Sequence, residues 1–129
     1  MGILNYESHY LSGEKFLIKN ILPQRINKEK PVFFDIGAHI GKYAYELRKA
    51  FPTADIFAFE PHPKHFEKLK EKKEGFAAYN IGFSDVEEKN AILYDRVSRV
   101  ESGATEMASL YCHDNLVNSG YKEYIIDLY

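Results

Sequence analysis

The residues with the most chemical content lie in one heptapeptide, Asp35-Ile36-Gly37-Ala38-His39-Ile40-Gly41, and in one acid farther on, Glu60. Two glycines remove the Cβ atoms that would keep a ligand away from the backbone. A helix starting at this point presents its first N–H groups and a positive dipole end to a carboxylate or phosphate. Glu60 follows Gly41 by about 20 residues, the separation at which nucleotide-binding βαβ units place an acid that accepts hydrogen bonds from ribose hydroxyls. The spacing narrows the ligand. His39 stands where the dinucleotide fingerprint needs its middle glycine, so a pyrophosphate would be crowded. Asp35, two residues before Gly37, suits a ligand with a positive group, such as the amino end of a methionine moiety. Together these residues point to S-adenosylmethionine. Close packing of a helix on a strand calls for the same two glycines, and it is their order with Glu60 that favours the nucleotide reading.

These residues must be positioned by a strand, a turn, a helix and a second strand. Val32-Phe33-Phe34-Asp35-Ile36, between Pro31 and Gly37, reads as a strand buried on both faces of a parallel sheet. Ile40, Tyr43, Ala44, Leu47, Ala50 and Phe51 recur at helical spacing until Pro52. Asp55 to Glu60 repeats the strand pattern and stops at Pro61. The spacing then predicts a helix that opens on Pro63, turns Phe66 and Leu69 inward and ends at a Gly75 cap, with interleaved lysines and glutamates on its wet face. Phe76 to Phe83 predicts a third strand ended by the turn Ser84-Asp85.

The flanks differ from this core. Residues 1–30 form a helical prelude, in which Ser12 caps a helix carrying Phe16, Leu17, Ile21 and Leu22, Pro23 stops it, and Gln24 to Lys30 make a loop. Ala91 to Tyr94, Ser109 to Cys112 and Tyr124 to Tyr129 read as short strands with no helix between the first two, which predicts an antiparallel addition or hairpin after the third strand.

Composition bounds the partners. The chain has 129 residues, room for a single domain, with 17 Lys plus Arg against 19 Asp plus Glu. A net charge of −2 gives no basic face for nucleic acid or anionic lipid. No apolar run is long enough to span a bilayer, and the first residues lack a signal-peptide pattern, so the expected location is cytoplasmic. Cys112, the one cysteine, cannot form an internal disulfide. No metal is expected: Cys112 and His113 are consecutive and point to opposite faces of a strand.

The strings VFFDIGAHIGKYAYEL, IFAFEPHPKHFEKLKE and YNIGFSDVEE together resemble the FkbM family of S-adenosylmethionine-dependent methyltransferases. Members of that family carry a DIGAN-I-G loop, an AFEP strand end and an A-L-S-D strand end in this order. Ser12-Gly13-Glu14 and Ala108-Ser109-Leu110 are similar to further family segments, so the resemblance covers roughly residues 10 to 112. It implies an α/β, Rossmann-like class I methyltransferase fold and methyl transfer, usually to a hydroxyl of a sugar or secondary metabolite; the partner is then a small-molecule or glycan acceptor. On this resemblance Asp35, Gly37, Ala38 and Gly41 hold the methionine part, Glu60 holds the ribose, and Ser84 with Asp85 border the adenine. His39 departs from the family's usual asparagine and reads as a tolerated polar replacement without special chemistry, though still able to hydrogen-bond the cofactor. Pro61 and His62 form the strand-to-helix corner, which can also edge the adenine pocket.

The matched segments account for only the first strands of the family's sheet. The chain therefore reads as the N-terminal, cofactor-binding part of a larger methyltransferase domain, a fold incomplete at its C-terminus, and no catalytic base is assigned. Two rivals stay open. One is a non-catalytic cofactor-binding module of the same fold; the other is a nicotinamide-dependent oxidoreductase, against which the missing middle glycine argues.

Overall fold

The computed structural model describes residues 13–72, 75–96, 108–110 and 121–129. Its centre is a three-stranded parallel sheet built from β1 (Val32–Ile36), β2 (Asp55–Phe59) and β3 (Ala77–Tyr79), in the order β1-β2-β3. The register sets Asp35 opposite Ala58 and Ile36 opposite Phe59, so β1 and β2 finish together. Helix α3 (Lys42–Ala50) connects β1 to β2, and α4 (Pro63–Glu71) connects β2 to β3. Each connection is a βαβ unit, the minimum that parallel pairing requires.

Period-2 alternation decides which side of the sheet is dry. Ile56 and Ala58 of β2 point into one core with Ala44 and Leu47 of α3 and Leu69 of α4, so both helices cover the same face. The opposite face carries an aromatic row. Phe34 stacks on Phe57 with centroids 5.5 Å apart, Phe59 stacks on Tyr79 at 5.2 Å, and Phe83 meets Phe59 edge-on at 5.0 Å. On this face Phe34 and Ile36 are 64% and 65% exposed. The expectation of a first strand buried on both sides is thus met on one side only. Its composition suits two covered faces, but both crossover helices lie on the same one.

The prelude departs from the expected helix with a stop at Pro23. Helix α1 (Gly13–Phe16) runs through a π-turn at Leu17–Ile21 into α2 (Leu22–Arg25), so Pro23 to Arg25 are helical. Proline lacks an N–H and its ring collides with the carbonyl four residues back. The π-turn widens the helix just before it, the Leu22 N–H reaching back to the Leu17 carbonyl, and Pro23 falls in the first turn of the next segment. Ile18 of the turn is buried against the core beneath the sheet. Ser12 lies outside the described residues.

Two further boundaries move. Helix α4 ends with Lys72 in an extended conformation, not at a Gly75 cap. Gly75 keeps a left-handed φ of +77° in the approach to β3, where its carbonyl accepts a hydrogen bond from the Arg48 guanidinium. Strand β3 stops after Tyr79 because the chain then changes partner. The Gly82 N–H bonds to the Asp127 carbonyl at 2.9 Å and the Ser84 N–H to the Tyr129 carbonyl at 3.0 Å.

That new partner belongs to an antiparallel pair, β4 (Glu88–Arg96) with β5 (Tyr121–Leu128), as expected of an antiparallel addition. Ala91, Leu93, Ile126 and Leu128 form its small core, with Tyr124 packed against it. The strands are longer than the sequence indicated. Ser109 contributes a single antiparallel bridge to Tyr94, and Cys112 lies outside the described residues.

Candidate functional site

The loop leaving β1 is folded over the end of β2. The N–H groups of Gly37 and Ala38 both donate to the Phe59 carbonyl, each at 2.9 Å. Gly37, His39 and Gly41 all have left-handed backbone, with φ of +77°, +51° and +80°. Histidine is among the few side chains that tolerate this region, which is also where asparagine is at home.

The two glycines serve different ends. A Cβ on Gly41 would lie 2.6 Å from the Leu69 Cδ1 and 3.2 Å from the Phe76 ring, so this glycine lets α3 begin in contact with α4 and the approach to β3. A Cβ on Gly37 would meet nothing within 4 Å. Packing accounts for Gly41. At Gly37 only the backbone conformation requires glycine, and open space lies beside it at the C-terminal end of β1.

Two carboxylates bind the backbone that follows Gly37. Gly41 is the N-cap of α3 and has no side chain to cap with, so Asp35 does it from the strand, its Oδ2 accepting the Ala44 N–H at 3.0 Å. Burial pushes the Asp35 carboxyl above its ordinary pKa; the Ala44 N–H opposes this and the negative charge of Glu60 adds to it. Glu60 is 6% exposed. Its Oε2 accepts the His39 N–H at 2.7 Å and its Oε1 accepts the His62 N–H at 2.8 Å. The carboxylate thereby ties the glycine loop to the corner between β2 and α4. Each oxygen keeps one further lone pair for another donor.

Histidines surround this corner. The ring of His65 meets that of His39 edge-on at 4.1 Å and stacks on that of His62 at 4.3 Å. Burial, with the nearby His39 and His62, drives the His65 pKa down to about 4. Its Nδ1 lies 3.9 Å from Glu60 Oε1, yet near neutral pH it carries no charge to offset that acid. His62 is the N-cap of α4, its Nδ1 accepting the Lys64 N–H, while its Nε2 faces Asp95 Oδ2 at 3.2 Å. With both nitrogens engaged, His62 has none left to ligate a metal. Among the described residues no group of three metal-ligating side chains comes together.

Asp35, Gly37, Ala38, His39, Gly41, Glu60 and Pro61 thus gather where β1 and β2 end. Ser84 and Asp85 were expected at the end of the third strand, and they are not there. Strand β3 closes at Tyr79, and Ser84 sits beyond the change of partner, beside Tyr129, its hydroxyl donating to Asp85 Oδ1 at 3.2 Å. The residue that borders the end of β3 is Asn80, whose amide donates to the carbonyls of Glu60 and Pro61 at 2.8 and 3.0 Å. Sequence reasoning passed over Asn80 and Asp95. The polar Asn80 inside an apolar run was the signal for the first; Asp95 gave none.

No helix among the described residues is long and apolar enough to cross a membrane. No protein-family model matches the chain, and no curated protein matches it. Any functional reading therefore rests on the residues and their geometry.

Proposed function

We propose that this chain binds S-adenosylmethionine at the ends of β1 and β2 and belongs to a methyltransferase of the FkbM type. The observation that carries the reading is the open, left-handed Gly37 with two acids, Asp35 and Glu60, bonded to backbone N–H groups that follow it. A ligand that is cationic at one end and carries a ribose diol answers both acids. Its ammonium group lowers the energy of the buried Asp35 carboxylate, and its two ribose hydroxyls donate to the lone pairs of Glu60 that the backbone leaves unused. A dinucleotide would bring a pyrophosphate to the same acids, which argues against a nicotinamide cofactor.

The bound cofactor supplies a methyl group already activated on its sulfonium. The chain's part is to orient it and to exclude water through the loop between Gly37 and Gly41. The acceptor in this reading is a hydroxyl of a sugar or other small molecule, with its base contributed by residues outside those assigned here.

The finer fold assignment, a Rossmann-like methyltransferase sheet, draws support from the aromatic face, which no other element among the described residues covers. Parallel sheets are covered on both sides, and ligands in such folds sit where strand order reverses. Further strands beside β1, with helices over Phe34 and Ile36, would put the Gly37 loop at such a reversal. The same face, uncovered among the described residues, favours a second reading, in which this chain binds cofactor but transfers nothing by itself.

Isothermal titration with S-adenosylmethionine, run beside a methyl-transfer assay with labelled cofactor, decides between them. Heat with turnover supports the enzyme, heat without turnover the binding module. A folded sample that gives no heat at millimolar cofactor rejects both.

A further inference from the structure

The orientation of Glu60 depends on two backbone N–H groups, and they are anchored differently. The His39 N–H belongs to the glycine loop, whereas the His62 N–H is fixed by what holds the His62 ring. That ring is 1% exposed and lies between His65 and Tyr124 of β5, at centroid distances of 4.3 and 4.4 Å. Its Nδ1 accepts the Lys64 N–H, so the neutral ring carries its proton on Nε2. This Nε2–H meets Oδ2 of Asp95, a residue of β4 that is itself 5% exposed. The opposite tautomer would set Nδ1–H against the Lys64 N–H and a bare Nε2 against a carboxylate. Two donors would collide at one end and two acceptors at the other.

We infer that Asp95 is a positioning residue for the cofactor-holding carboxylate, acting through His62 on Glu60. The inference rests on the ribose role proposed for Glu60. Asp95 selects the Nε2–H tautomer, the tautomer keeps His62 as the cap of α4, and the capped residue presents its N–H to Glu60 Oε1. Because Asp95 and Tyr124 both come from the antiparallel pair, that pair is part of the cofactor site's support although it supplies no residue to the loop itself.

Long-range proton–nitrogen correlation on the ligand-free protein reads the His62 tautomer directly. The Nε2–H form is expected, and the Nδ1–H form would overturn the inference without any variant. Titration calorimetry with S-adenosylhomocysteine then compares the unaltered protein with Asp95→Ala and Asp95→Asn, each checked for folding by urea unfolding. Alanine leaves the buried Nε2–H without a partner, and affinity should fall by about fivefold or more. Asparagine keeps an oxygen acceptor and should stay within about twofold of the unaltered protein, a rescue that mere filling of space would not produce. Equal affinity in all three, or equal loss in both variants, overturns the role of Asp95. Should the alanine variant not fold, loss of affinity in the folded asparagine variant does the same, and its retention beside the Nε2–H tautomer supports the role. An unaltered protein that binds nothing rejects the ribose role of Glu60, and this inference with it. An unaltered protein that binds beside indifferent variants rejects Asp95 alone.

Discussion

Exchanging the two loop glycines for alanine separates packing from ligand approach. Both positions have φ near +80°, where an alanine costs about 1–2 kcal/mol. At Gly37 that is the whole expected cost, because the new methyl group meets nothing within 4 Å. At Gly41 the methyl would lie 2.6 Å from Leu69 Cδ1, with the Phe76 ring at 3.2 Å. Leu69 is fully buried and cannot turn aside without disturbing the core, so overpacking adds about 1–3 kcal/mol. For a domain of this size 1 kcal/mol corresponds to about 4 °C in Tm. Gly37→Ala should therefore melt roughly 4–8 °C below the unaltered protein and Gly41→Ala roughly 8–20 °C below it. Thermal and urea unfolding followed by circular dichroism give these numbers, and calorimetry with S-adenosylhomocysteine gives the other half. Gly37→Ala, though the more stable variant, should lose about tenfold or more in affinity, since its methyl group occupies the ligand's approach. Equal destabilisation by the two changes would refute the packing argument. A folded Gly37→Ala protein with unchanged affinity would refute the ligand argument.

Two further outcomes follow from the titrating groups. The folded-state pKa of Asp35 lies above its ordinary 3.8, so its contribution to stability is present below that value and lost as pH rises through the raised one. At pH 7 the charged group is a burden, and Asp35→Asn, which keeps an acceptor for the Ala44 N–H, should raise the unfolding midpoint while weakening S-adenosylmethionine about 10- to 100-fold; a lowered midpoint at pH 7 contradicts this. His65 has the opposite sign: its pKa falls from 6.5 to about 4 on folding, so stability present above pH 6.5 is lost as pH drops toward 4. Unfolding free energies from urea titrations across that window should fall by an amount on the order of 1–3 kcal/mol, and His65→Leu should flatten the profile. An unaltered slope in the variant would assign the pH dependence to other groups.

What the sequence disclosed was local, and what it withheld was set at a distance. Strands β1 and β2 and helices α3 and α4 were legible because apolar periodicity and the stops Pro31, Pro52 and Pro61 are written within each segment. The loop and Glu60 were legible for the same reason, as a spacing. The different duties of Gly37 and Gly41 were not, because the difference is what packs beside them, Leu69 and Phe76 from the next βαβ unit. The end of β3 was misplaced, and Ser84 and Asp85 with it, because the chain leaves β2 for β5, a strand much later in the sequence. Pro23 read as a stop because a π-turn that accommodates proline has no local signature. The exposure of Phe34 and Ile36 was not legible because one strand's alternation does not say on which side its crossover helix falls.

A two-dimensional proton–nitrogen titration with S-adenosylhomocysteine, on the assigned protein, tests the central claim most directly. The account predicts saturable shifts concentrated on the amides of Gly37, Ala38, His39 and Gly41 and on Glu60 and His62, with Ile92 and Ile125 on the outer face of the β4–β5 pair unmoved. No shifts at millimolar ligand, or shifts centred away from the ends of β1 and β2, would contradict it.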